Sequence, residues 1–154
     1  TRKLSRSAGV EGMIGGQVLD LLNEGKKISL PELEHMHLRK TGALIEAAVV
    51  SGALAVNSSP GQLQALTGYA TRLGLAFQII DDLLDIEGSA EEMGKLPLSD
   101  GTRRKGTYPE LLGAEPARCK AGELYEEALS CLEPLGESGE LLRSLAKYLV
   151  FRNK

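Results

Sequence analysis

Gln78-Ile79-Ile80-Asp81-Asp82-Leu83-Leu84-Asp85 sets four polar side chains at helical spacing inside an apolar segment. At about 100° per residue, positions 78, 81, 82 and 85 fall on one face of a helix. Ile79, Ile80, Leu83, Leu84 and Ile86 spread over the rest. Like charges four residues apart destabilise a helix by roughly 0.2–0.5 kcal/mol. If Asp81 and Asp85 lie about 6 Å apart in a partly desolvated cleft, their repulsion is on the order of 3 kcal/mol at an effective dielectric near 20. The arrangement calls for a cation. Mg²⁺ suits it, because that ion keeps much of its water and prefers one or two carboxylates together with substrate phosphates.

Composition points to a helical fold. The chain has 154 residues, enough for one domain with a core, and is 42% hydrophobic but only 4% aromatic, with no tryptophan. Its abundant Ala, Leu and Glu favour helices over a sandwich or barrel. A formal charge of -3 argues against a nucleic acid or an anionic membrane as partner. Cys119 and Cys131 form neither a CxxC motif nor a disulfide framework, which fits a reduced, cytoplasmic compartment. No apolar run approaches the roughly 18 residues needed to span a bilayer, so a soluble protein is expected.

Helix starts are legible in four capping-box patterns: Ser29 to Glu32, Ser59 to Gln62, Ser89 to Glu92 and Thr107 to Glu110. Three carry a proline in the first turn, where its missing N–H costs little. The resulting division predicts helices over 5–24, 30–56, 60–87, 107–113, 116–133 and 138–152, with no competing strand pattern.

Between Gly88 and Gly106 the chain turns to glycine, serine and basic residues: Lys95, Arg103, Arg104 and Lys105, with Arg118 soon after. Beside a carboxylate face, such a loop provides the cations a polyphosphate needs on its other side. Lys40-Thr41-Gly42 interrupts an apolar helix that Ala43, Leu44 and Ile45 continue, and Gly42 costs about 1 kcal/mol relative to alanine. Close packing explains the glycine and leaves the lysine to function. His35 and His37, two residues apart, point to different sides of a helix and make a poor metal pair. Gly12, Gly15 and Gly16 match neither a P-loop nor a dinucleotide fingerprint, and close helix packing is the expectation there. Gln17 and Asp20, three residues apart on a helix, are candidates to line a pocket, a weak signal by themselves.

Together the segments resemble a known family. Gly15-Gly16-Gln17-Val-Leu-Asp20, His37-Leu-Arg-Lys40-Thr41-Gly42, Phe77-Gln78-Ile-Ile-Asp81-Asp82-Leu-Leu-Asp85, Gly94-Lys95 and Lys105-Gly-Thr-Tyr108-Pro109 occur in the order and approximate spacing of the trans-isoprenyl diphosphate synthases, most like bacterial farnesyl-type members. The resemblance runs from about Gly9 to the closing Phe151-Arg152-Asn153-Lys154. It implies an all-α, antiparallel bundle of the isoprenoid synthase type. It also implies Mg²⁺-assisted condensation of isopentenyl diphosphate with an allylic diphosphate through an allylic carbocation. By the same resemblance Asp81, Asp82 and Asp85 are metal ligands, and Lys40, Lys95 and Lys105 bind diphosphate. Lys40, Thr41, Gln78 and Asp81 are catalytic, and Gln17, Asp20 and Phe77 line the pocket.

One departure matters. Such synthases are roughly twice as long and carry an earlier aspartate-rich motif, whereas this chain has only Asp20, Asp81, Asp82, Asp85 and Asp100. The expectation is therefore that residues 1–154 are the C-terminal portion of a single synthase domain, inactive alone. Of the three Mg²⁺ ions in a complete site, this half would hold one. The alternatives are half of a split synthase or a noncatalytic subunit. A homodimer, with the helix around Gly12 to Leu22 in its interface, or association with the missing half is expected.

Overall fold

The computed structural model describes residues 1–93 and 106–152, and of 88–93 the backbone alone. Every element among the described residues is helical: α1 (Arg2–Ala8), α2 (Met13–Asn23), α3 (Leu30–His37), a π-helical turn (Leu38–Gly42), α4 (Ala43–Ala55), α5 (Pro60–Met93), α6 (Tyr108–Leu112), α7 (Ala114–Cys131) and α8 (Glu140–Val150). A 3₁₀ segment, Glu133–Gly139, joins α7 to α8 and is kinked at Gly136, whose φ of 53° lies in the region that favours glycine.

The 34 residues of α5 form the axis, about 51 Å long at 1.5 Å per residue. Its buried Tyr69, Leu73, Ala76, Ile79 and Leu83 recur every three or four residues. They meet Ala117, Ala121, Leu124 and Ala128 at the same period on α7, its main neighbour. The small alanines let the two helices approach closely, and each large apolar side chain buried contributes roughly 1.5–3 kcal/mol. The Tyr69 hydroxyl donates to the Leu142 carbonyl at 2.8 Å, which ties α8 to the same axis.

Three of the four capping boxes start helices as expected. Ser29 N–H donates to Glu32 at 2.8 Å, Ser59 N–H to Gln62 at 2.9 Å, and Glu110 N–H to the Thr107 hydroxyl at 3.4 Å. The box at Ser89 starts nothing, because α5 runs through it to Met93. Gly88 costs a helix only about 1 kcal/mol, too little to end one this long.

The helix expected over 5–24 is two. Gly9 leaves α1 in an extended conformation, and Gly12 opens α2 so close to α1 that an added Cβ would lie 1.9 Å from the Ser7 carbonyl oxygen. Arg39 stabilises the reversal by donating to the Val10 and Glu11 carbonyls at 2.9 and 3.2 Å.

The anomaly at Lys40-Thr41-Gly42 has a structural cause: this is the π turn, gripped from two sides. Gly16 of α2 packs on it so tightly that an added Cβ would lie 2.2 Å from the Lys40 backbone nitrogen. From α5, a Cβ added at Gly74 would lie 3.1 Å from Gly42 Cα. A widened turn at the crossing of three segments re-aims Lys40 and Thr41, the use to which single π turns are commonly put.

Candidate active site

Four hydrogen bonds gather at and around the seam between the π turn and α5. Lys40 Nζ donates to Asp20 Oδ2 on α2 at 2.6 Å. These two line a cleft of about 260 Å³ with Gln17, Met36 and Gly106. Lysine carries three donors, so the ammonium keeps capacity for an anion in the cleft. Next along the chain, Thr41 donates its hydroxyl to Gln78 Oε1 at 2.9 Å, and Gln78 Nε2 donates to Asp82 Oδ1 at 3.2 Å. One turn further on α5, Arg152 Nη2 donates to Asp81 Oδ1 at 2.7 Å, and its guanidinium stacks 4.2 Å from the Phe77 ring centroid.

The expectation that three carboxylates share one open face does not hold. Asp82 is 7% exposed and turned inward, where its Oδ2 accepts the Tyr108 N–H at 3.1 Å. Asp81 is half-exposed in its pair with Arg152, and Asp85 is exposed. The step of about 100° from 81 to 82 carries the second carboxylate off the solvent face and into the α5–α6 contact. Among the described residues no three metal-ligating side chains converge. Asp81 and Asp85, one turn apart and both reaching solvent, suit a hydrated Mg²⁺, which needs only one or two carboxylates besides phosphate oxygens. Asp82 does not suit it. Lys95 and Lys105 lie outside the described residues.

Sequence reasoning missed three partners. Arg152 is 71 residues from Asp81, and its basic character was the only signal. Arg39 caps the reversal before α2 through contacts 28 and 29 residues away, which no local pattern reveals. His37 is buried at 6% exposure and stacked 5.7 Å from Tyr108, while His35 is exposed.

Burial governs the titration of the inner pair. His37 is held down at about 4, by desolvation first, and Asp82 is pushed up to about 6, by desolvation first and by Asp81 and Asp85 last. They stand 3.7 Å apart, within ion-pair range, yet the imidazole is neutral whenever the carboxylate is ionised, so the contact is no ion pair. The linkage has opposite signs. The depressed His37 contributes stability that is complete above its unfolded value of 6.5 and is lost as pH falls through about 4. The raised Asp82 contributes stability that is complete below 3.8 and is lost as pH rises through about 6. The two offset each other between those limits. Asp82→Asn removes the second alone, so thermal melts should show the variant losing more stability than wild type between pH 6.5 and pH 4; parallel curves would contradict the assignment.

The Polyprenyl synthetase family model matches residues 5–138. A dimethylallyltranstransferase of Fischerella ambigua (strain UTEX 1903) is 47% identical over 151 residues, covering 97% of this chain and 44% of the relative. The farnesyl diphosphate synthase of Escherichia coli (strain K12) is 45% identical over 156 residues, covering 99% and 52% respectively. A solved Helicobacter pylori geranyltransferase, complexed with magnesium and isoprenyl diphosphate, superposes with a TM-score of 0.75 at 32% identity, over 97% of this chain and 49% of that one. The chain thus spans about half the length of the curated relatives it matches. With its helical architecture and a match over most of its length, the chain belongs to the polyprenyl synthetase family.

Proposed function

We propose that this chain supplies the carboxy-terminal half of a short-chain trans-prenyltransferase, joining isopentenyl diphosphate to an allylic diphosphate such as dimethylallyl or geranyl diphosphate. The observation that carries this reading is the seam itself: Lys40 and Thr41 on the π turn, set against Gln78 one turn before Asp81 on α5.

Asp81 and Asp85 would hold Mg²⁺, which when bound supplies positive charge facing the diphosphate oxygens. Lys40 would add an ammonium for the same oxygens, with Lys95 and Lys105 assigned to this task by resemblance. As the allylic C–O bond breaks, its electron pair leaves with the diphosphate and a carbocation remains. In this reading the Thr41 and Gln78 oxygens would sit beside that cation, where their negative dipoles favour it, an electrostatic contribution already paid in folding. The alkene of isopentenyl diphosphate attacks the cation, and the departing diphosphate takes the proton then lost.

The relatives' other half would complete the site and cover exposed apolar surface. Val10, Ile14, Val18, Leu21 and Leu22, all exposed, line one side of the α2 region and suit either that half or a second copy of the chain. The test is isoprenyl transfer with the purified chain alone and after joining it to the amino-terminal half of the Escherichia coli synthase. The reading predicts no product from the chain alone and Mg²⁺-dependent product from the completed protein. Product from the isolated chain, or none from a folded completed protein, would sink it.

A further inference from the structure

We propose that Asp82 is a positioning residue for the prenyl-transfer site, setting the direction of a hydrogen-bond chain that makes Thr41 an acceptor toward substrate. This rests on the function proposed above and adds a role that differs from metal binding.

The direction follows from the donor inventory. An ionised carboxylate only accepts, and Asp82 accepts from two sides: the Tyr108 N–H on Oδ2 at 3.1 Å and Gln78 Nε2 on Oδ1 at 3.2 Å. A carboxylate there requires Gln78 to present its NH₂ end. Its carbonyl oxygen is then left facing Thr41, 2.9 Å away. An amide oxygen cannot donate, so the Thr41 hydroxyl gives its one proton to Gln78. From then on Thr41 Oγ1 can meet a ligand only through lone pairs. That is the polarity an allylic cation needs, because an O–H aimed at the same carbon would repel it. A buried side chain two contacts away therefore decides which face Thr41 shows.

The geometry also separates Asp82 from its neighbours. Asp81 and Asp85 reach solvent, whereas Asp82 is enclosed between α5 and α6 and its two oxygens are both engaged. The Tyr108 contact gives it a second task, docking the start of α6 and with it the Gly106-Thr107 approach to the cleft.

Asp82→Asn tests the idea because it keeps the volume while replacing one acceptor by a donor. If the new carbonyl stays on the Tyr108 N–H, the new NH₂ faces Gln78, whose amide must turn over and present nitrogen to Thr41. In isotope-labelled chain at neutral pH, the Gln78 side-chain NH₂ resonances should shift in Asp82→Asn, and the Tyr108 amide should keep its protection from exchange. Asp82→Ala should speed that exchange by about tenfold or more. In the completed enzyme, Asp82→Asn should lower kcat by about tenfold while leaving the Mg²⁺ requirement within about twofold of wild type. Gln78 resonances unmoved in Asp82→Asn would overturn the proposal, as would a Mg²⁺ requirement raised as far as Asp81→Asn raises it. Failure of the completed protein to transfer prenyl groups would remove the functional reading while the resonance measurements still decide the direction of the chain.

Discussion

Gly16→Ala is expected to lower the melting temperature by roughly 6–12 °C, corresponding to about 3 kcal/mol in a chain of this size. The added methyl would stand 2.2 Å from the Lys40 nitrogen, 2.5 Å from Lys40 Cα and 2.8 Å from the Arg39 carbonyl carbon. All three are backbone atoms of the π turn, so no side-chain rotation relieves the contact. Alanine does gain up to about 1 kcal/mol in helix propensity, but the clash outweighs it. Relief requires moving α2 away from the turn, which would also pull Asp20 from Lys40. Gly52→Ala is the control: it lies in α4, is exposed, and an added Cβ meets nothing within 4 Å. That change should stabilise the chain by about 0.5–1 kcal/mol. Scanning calorimetry of both variants separates the two; equal melting temperatures for Gly16→Ala and wild type would mean that α2 does not pack on the turn this closely.

Much of this organisation was legible because it is local. The helical reading of 60–87 rests on the Ser59 cap and on apolar spacing, and the caps at Ser29, Ser59 and Thr107 each satisfy backbone groups within three residues. Lys40-Thr41-Gly42 was visible as an anomaly, but its π geometry follows from Gly16 and Gly74, which arrive from other helices. The break between α1 and α2 was hidden for a similar reason. Gly9 and Gly12 each fit a helix at modest cost, and the reversal is held by Arg39, 28 residues beyond Glu11. For the aspartates, helical spacing placed them on one side within a wide arc. It took the docking of α6 to turn Asp82 inward and the arrival of Arg152 to occupy Asp81.

Asp81 carries the second large effect. In the completed enzyme Asp81→Ala is expected to lower turnover by at least about tenfold, or about 1.4 kcal/mol in the barrier. Two losses are possible in this change: a ligand for Mg²⁺, and the anchor of Arg152. Arg152→Gln distinguishes them, since it removes the ion pair and the stacking on Phe77 but leaves both carboxylates facing solvent. If Asp81 acts through the metal, Arg152→Gln should not reproduce the loss. The guanidinium and Mg²⁺ compete for the same carboxylate oxygens, so its removal should, if anything, ease metal entry. The most direct measurement is turnover against Mg²⁺ concentration for wild type and Asp81→Asn. A metal–diphosphate site on the acidic face of α5 predicts that the variant needs at least about tenfold more Mg²⁺ to reach half its maximal rate. Superimposable Mg²⁺ curves for the two proteins would contradict it.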